Sequence, residues 1–169
     1  MSQQLEPKVS RPLFPEGYGI PETDDDLLPW DYVANRMAGS RNYWIATASP
    51  EGRVSATPVW GVWVEDTLFF DGSPQTRRGR NIAANPSVAV HLEDGTQAVM
   101  IEGEAYEVIG PEPELANQLA AAYAAKYADE GYTPEPNQWE NGGLFRLVKR
   151  RVFAWTQFPK DVTRWVFQE

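Results

Sequence analysis

The sequence predicts an α+β fold, an antiparallel β-barrel with a few helices set between its strands. Three observations carry this reading. Runs of β-branched and aromatic residues recur from residue 42 to the C-terminus, separated by turn-forming Gly, Pro, Asn and Asp. Three stretches with helical periodicity interrupt them, near 29–39, 76–85 and 111–129. The longest apolar run, 53–64, contains Pro58 and Gly61; proline cannot donate to a ladder, so the run is an edge, a bulge or a bend of the kind barrels use.

The elements follow in order. Residues 1–27 are rich in proline and carry the acidic knot Glu22–Asp26, which reads as an extended arm ahead of a single domain over 28–169. Pro29 suits the first turn of a helix, Trp30, Val33 and Met37 give it one apolar face, and Gly39 stops it. Residues 42–49 form a strand, Ser49-Pro50-Glu51-Gly52 a turn, 53–64 a long strand, Glu65-Asp66-Thr67 a second turn and 68–71 a return. Thr76 is an N-cap type and Asn85-Pro86 ends the helix that it opens. Strands follow at 88–93 and 97–108, joined across Asp94-Gly95. A helix over 111–129 places Leu115, Leu119, Ala122 and Tyr123 in register, and a loop over 130–142 leads to strands at 144–148, 151–156 and 163–167.

Composition limits the function classes. The 169 residues suffice for one core, and 42% hydrophobic content argues against disorder. A net charge of −9 disfavours a general nucleic-acid role, which needs a basic face. No apolar run approaches 18 residues, so no membrane partnership is expected, and residues 1–29 lack the apolar core of a secretion signal. The absence of cysteine removes disulfides and thiolate metal sites. Together these point to a cytoplasmic protein.

Against that acidic balance, SPQTRRGRN (73–81) places Arg77, Arg78 and Arg80 within four positions. Arginines in the first turn of a helix oppose its dipole unless an anion arrives; amides, dipole and guanidinium forks would then converge on a phosphate. The alternative is a solvated helix whose arginines pair with surface carboxylates. A second candidate is Thr57-Pro58-Val59-Trp60-Gly61, where backbone and indole could meet a flat ligand, or where Trp60 and Trp63 simply pack a core. His91 is the sole histidine, which excludes multi-histidine metal sites, and its mid-strand place in VAVHLED reads as structural rather than as the base of a nucleophilic triad. No dinucleotide or Walker-type glycine motif is present. No catalytic side chain and no metal ligand is assigned; an enzyme of this composition would rely on a bound cofactor.

The segments YWIATASPEGRVSATPVWGVWVEDTLFF, TRRGRN, ANPSVAVHLE and VMIEGEAYEV resemble, in that order, the split β-barrel flavoproteins related to pyridoxamine 5′-phosphate oxidase. The likeness spans about residues 30–158 and is strongest to the branch of flavin- and deazaflavin-dependent oxidoreductases. It implies an FMN-binding type of split barrel, a homodimer, and FMN or F420 held at the subunit interface. Thr76, Arg77 and Arg78 fall where the family grips the cofactor phosphate. Thr57, Pro58, Val59, Trp60 and Gly61 fall where it lays the ring edge along a strand. Asp71, Gly72 and Ser73 fall where it contacts phosphate and ribityl chain, and Gln97 with Ala98 would come from the facing side. Trp155, Phe158 and Trp165 are further wall candidates. Gly61 stands where pyridoxamine phosphate oxidases carry a lysine, and Arg146-Leu147-Val148-Lys149 replaces their Arg-Leu-x-Pro signature, so that oxidase activity is not expected. The resemblance implies an oxidoreductase passing hydride to or from a small planar organic molecule. Its alternatives are a non-catalytic carrier or sensor of flavin, F420 or haem, with His91 as the ligand in the haem case, and an empty barrel serving as a protein-binding or structural dimer.

Overall fold

The computed structural model describes residues 6–167; the remainder of the predicted arm, residues 1–5, and the last two residues lie outside it. Nine antiparallel strands and three α-helices alternate as β1 (Lys8–Ser10), α1 (Trp30–Gly39), β2 (Tyr43–Ala48), β3 (Val54–Val59), β4 (Gly61–Val64), β5 (Thr67–Asp71), α2 (Arg77–Ala84), β6 (Ser87–His91), β7 (Val99–Val108), α3 (Pro113–Tyr127), β8 (Leu144–Ala154) and β9 (Thr163–Val166). No helix among the described residues is long and apolar enough to cross a membrane.

The ladders run β3-β2-β6-β7-β8, and β8 also pairs with β5, which pairs with β4. The two ends of this chain of ladders, β3 and β4, are consecutive in sequence but share no hydrogen-bonded register. The sheet therefore does not close; Trp60 joins its two free edges covalently, and the split of the barrel lies there. This is the outcome of Pro58 and Gly61 in the 53–64 run, which divides into two strands with different partners. Proline is tolerated because β3 pairs on one side only, with Pro58 opposite Trp44.

The strands expected at 144–148 and 151–156 are one eleven-residue strand, β8. Its register against β7 shifts between Glu102 and Gly103, so Arg150 is an extra residue on the β8 side. Leu147 and Lys149 are buried before the shift and Val152 and Ala154 after it, so the alternation inverts. That inversion mimics a strand break in sequence. Within the span read as an arm, Lys8–Ser10 add a strand to β9, and buried Arg11 donates to the carbonyls of Thr23 (2.5 Å) and Lys160 (3.0 Å).

One core fills the barrel, with Met37, Tyr43, Ile45, Phe70, Ile101, Val152 and Trp165 among its members. A second lies between α3 and the outer face of β4–β5, where Val62, Phe69, Leu119, Tyr123, Tyr127 and Trp139 pack. Buried on both faces, β5 is continuously apolar, as such strands are. It delivers Asp71 and Gly72 to the mouth of the site.

Candidate functional site

Helix α2 begins as its sequence predicts. The Thr76 hydroxyl donates to the Ser73 carbonyl (2.9 Å) and accepts from the Gly79 amide (3.1 Å), and the Gln75 amide donates to Ser73 Oγ (3.1 Å). Helix geometry then gives the Arg77 and Arg78 amides no partner of their own. Arg77 is exposed; Arg78 is half-buried and turns back under Gly72. Its Nη1 donates to Thr57 Oγ1 (3.2 Å), while its buried Nε has no hydrogen-bond partner among the described residues. Burial holds the Arg78 pKa below its ordinary value, with Asp71 opposing. Gly72 lies at φ +149°, a backbone conformation that strains any other residue, and a Cβ there would also displace the Arg78 Nη2 tip now 2.5 Å away. Asn81, buried on the inner side of α2, donates to Thr47 Oγ1 (2.9 Å) and fixes the helix against β2. The result is a partly desolvated guanidinium with an unspent donor beside two free amides.

At the break between β3 and β4, Trp60 stacks on Tyr127 (centroids 4.8 Å, 14°). The Tyr127 hydroxyl accepts the Gly61 amide (3.0 Å) and lies within bonding distance of the Arg41 (2.7 Å) and Gly61 (2.8 Å) carbonyls, to either of which it donates. Lys126 adds donors to the Gly61 carbonyl (3.0 Å) and the Tyr43 hydroxyl (2.7 Å). A Cβ on Gly61 would meet the Phe69 carbonyl at 2.7 Å, so neither lysine nor alanine fits here without backbone movement. Burial, with Arg41 adding to it, lowers the Lys126 pKa from 10.5 to about 8. Between those values the unfolded chain binds the extra proton, so this group makes stability rise with pH. Urea stability of the wild type should therefore gain on Lys126→Met between pH 7.5 and 9.5; parallel pH curves for the two proteins would contradict it.

Asp71, at the end of β5, faces a cleft of about 390 Å³ that Trp60, Tyr132, Trp139 and Gly143 help to line. The Tyr132 hydroxyl donates to Asp71 Oδ2, and Gly72 N–H to the Gly143 carbonyl (2.9 Å). Burial pushes the Asp71 pKa up, against the Tyr132 hydrogen bond and the Arg78 charge.

Thus the structure brings Thr57, Asp71, Gly72, Ser73, Thr76, Arg77 and Arg78 to one corner, with Trp60 and Gly61 beside it. Val59 points into the core, so only its backbone is available, on the unpaired edge of β3. Pro58 lies on the outer face, in a cross-strand row with Trp44, His91, Met100 and Phe153. Gln97 precedes β7 rather than belonging to it. Its amide donates to Asp94 Oδ1 (3.0 Å) and its carbonyl accepts from Arg36 (3.1 Å), at the end of β6–β7 opposite α2. Within one protomer it does not join the corner. Trp165 is buried in the barrel core and borders a separate hollow beside Trp30 and Phe167, away from this corner, whereas Trp155 and Phe158 line an apolar groove on the outer face. Sequence reasoning missed Tyr127, Lys126 and Tyr132; two of them adjoin at the end of α3, where a lysine on an otherwise apolar helix is the signal available.

The donor set suits a phosphate: among the described residues Arg78 Nε has no partner, and it belongs to the same helix turn as Arg77 and the unbonded first-turn amides. The sequence model of the pyridoxamine 5′-phosphate oxidase family matches residues 31–158. Among solved structures, the conserved hypothetical protein Rv2991 from Mycobacterium tuberculosis is 23% identical at a TM-score of 0.61, over 86% of this chain and 89% of that one. HutZ, the haem storage protein from Vibrio cholerae, is 21% identical at 0.57, over 73% and 92%. An F420 reductase is 20% identical at 0.53, over 82% and 98%. No curated protein sequence matches the chain.

Proposed function

The chain belongs to the pyridoxamine 5′-phosphate oxidase family, and on that premise we propose that it binds FMN or F420 and works as an oxidoreductase on a small planar organic molecule. The observation that carries the reading is Arg78, a half-buried cation with an unsatisfied Nε at the start of α2. Arg78, Arg77, Thr76 and Ser73 would hold the phosphate, and Thr57 would steady Arg78 from β3. When bound, the ring system of either cofactor gives or takes a hydride. The open edge of β3 beside Thr57–Val59 would bring the ring against backbone, with the Pro58 carbonyl facing it. Trp60, locked on Tyr127, shields the break from water. An F420 reductase among the structural relatives fits this reading. The outer row of Pro58, Trp44, His91, Met100 and Phe153 is apolar enough to be the homodimer face, which would bring Gln97 of a second copy towards the site. Sedimentation showing a cofactor-loaded monomer would remove that element.

A second reading rests on His91. Its Nδ1 lies 2.8 Å from the Leu92 carbonyl and must donate to it, which leaves Nε2 as a lone-pair ligand. The ring stacks parallel to Trp44 beside an apolar groove, and one structural relative is named a haem storage protein. On this reading the chain is a haem or other tetrapyrrole carrier.

The absorbance spectrum of the purified protein separates the two, with mass spectrometry of whatever it releases. Flavin or deazaflavin bands are expected. Haem bands lost in His91→Ala would favour the carrier. No chromophore after incubation with FMN, F420 and haem would remove both.

A further inference from the structure

We propose that the cleft between Trp60, Tyr132 and Trp139, with the Asp71 carboxylate in its wall, is the substrate subsite and takes a flat aromatic ring bearing a cationic N–H donor group, such as an amidine or a protonated amine. This rests on the cofactor reading above. The cleft is bounded by Gly72 and Ser73 on the side of the phosphate grip and by Trp60 at the strand break, so a molecule in it adjoins both ends of the proposed cofactor site.

Its walls are aromatic and rigid. Trp60 is stacked on Tyr127 and tilted against Tyr132 (5.8 Å); Tyr123 meets Tyr132 edge-on (5.6 Å) and packs on Trp139 (5.7 Å). Fixed ring planes favour a flat guest, which loses little on ordering. Gly142 and Gly143, both at positive φ, carry the chain along the other side without side chains.

Among the described lining residues, Asp71 alone is charged. Arg78 acts on it through space but makes no ion pair with it. Tyr132 holds Oδ2, and the buried Trp139 indole lies near enough to favour the ionised carboxylate. A half-buried carboxylate kept charged by these donors, with π-faces around it, suits a cation and repels an anion. A substrate phosphate finds no basic partner in this cleft, since the arginines are committed to the cofactor side. The chain then departs from the anionic substrate in its family's name, as Gly61 in place of a lysine also indicates.

Benzamidine and benzoate, one ring with opposite charges, test this on the full-length protein by NMR of the tryptophan indole N–H signals, with and without saturating FMN or F420. Benzamidine should shift the Trp60 and Trp139 indoles and bind about tenfold or more tighter than benzoate. Asp71→Asn should abolish the preference, and Tyr132→Phe, which keeps the charge, should retain it. Equal binding of the two probes, shifts confined to other indoles, or a preference surviving in a folded Asp71→Asn protein overturns the proposal. If Asp71→Asn does not fold, the wild-type probe pair still decides it. FMN or F420 binding with no benzamidine preference refutes the subsite alone. Benzamidine preference in a protein that takes up neither FMN nor F420 at saturating concentration refutes the cofactor reading, and the substrate assignment with it.

Discussion

Alanine at both Arg77 and Arg78 is expected to weaken FMN or F420 binding by about 2–4 kcal/mol, roughly 30- to 900-fold, since charge-assisted hydrogen bonds contribute about 1.5–3 kcal/mol each and do not add fully. The two residues should not share the loss equally. Arg77 is exposed and its charge is screened. Arg78 is half-buried, braced by Thr57, and carries the unsatisfied Nε. Arg78→Ala should therefore account for most of the effect, and Thr57→Val, which releases the brace, for a smaller part. The apo fold should hardly respond, because Arg78 makes a single hydrogen bond and its burial disfavours the charge. Titration of apo protein by cofactor fluorescence reads the affinity and a thermal melt reads the fold. Unchanged affinity in the double variant places the phosphate elsewhere; a collapsed melt would make the arginines structural.

This site shows which kinds of information local sequence holds. The Thr76 cap, the arginine-bearing first turn and the break near Pro58 and Gly61 are local features, set by side-chain hydrogen bonding and backbone freedom within a few residues. They were legible for that reason. The Tyr127 clamp on Gly61 spans 66 positions and the Tyr132–Asp71 contact 61, so neither leaves a spacing to read. The parity flip at Arg150 misled for a related reason. A bulge is a property of two strands, and its cause, Gly103 lacking a side chain, lies on the other one. Gln97 illustrates the same limit at the next level, since its expected place requires a second copy of the chain.

Seen as electrostatics, the chain sorts its charge with some economy. Several of its arginines pair with carboxylates, as Arg41 does with Asp129 (2.9 Å) and Glu130 (3.0 Å). Arg78 forms no such pair among the described residues, and Asp71, the carboxylate that acts on it, is turned to the aromatic cleft and held by Tyr132. One backbone segment, Asp71-Gly72-Ser73, thus separates a site suited to anions from one suited to cations. On the proposed function, that separation would let a single corner hold an anionic cofactor tail and a cationic substrate without the two competing.

The largest expected effect on stability lies away from this corner, at Lys149. Its ammonium is nearly buried, donates to the Asp66 carboxylate (2.8 Å) and carbonyl, and sits among the rings of Trp63 (5.1 Å), Phe167 (5.3 Å) and Trp30 (5.4 Å). The Trp30 indole donates to the other Asp66 oxygen (2.8 Å). Glu65 and Asp66, at φ +48° and +59°, form the two-residue turn between β4 and β5. One lysine on β8 therefore ties that turn to α1 and to the chain leaving β9. Removing one partner of a buried pair costs about 3–5 kcal/mol. Asp66 is a third exposed and recovers some hydration, so Lys149→Ala should cost about 2–3 kcal/mol. For a chain of this length that lowers Tm by roughly 4–12 °C. Lys149→Met keeps the contact with the rings and should lose less, and adding Asp66→Asn should recover part of the remainder by removing the unpaired charge. A Lys149→Ala protein that melts within about 1 °C of the wild type would show that the cage closes without its cation, and the joint between α1, β8 and the turn would then be held by aromatic packing alone.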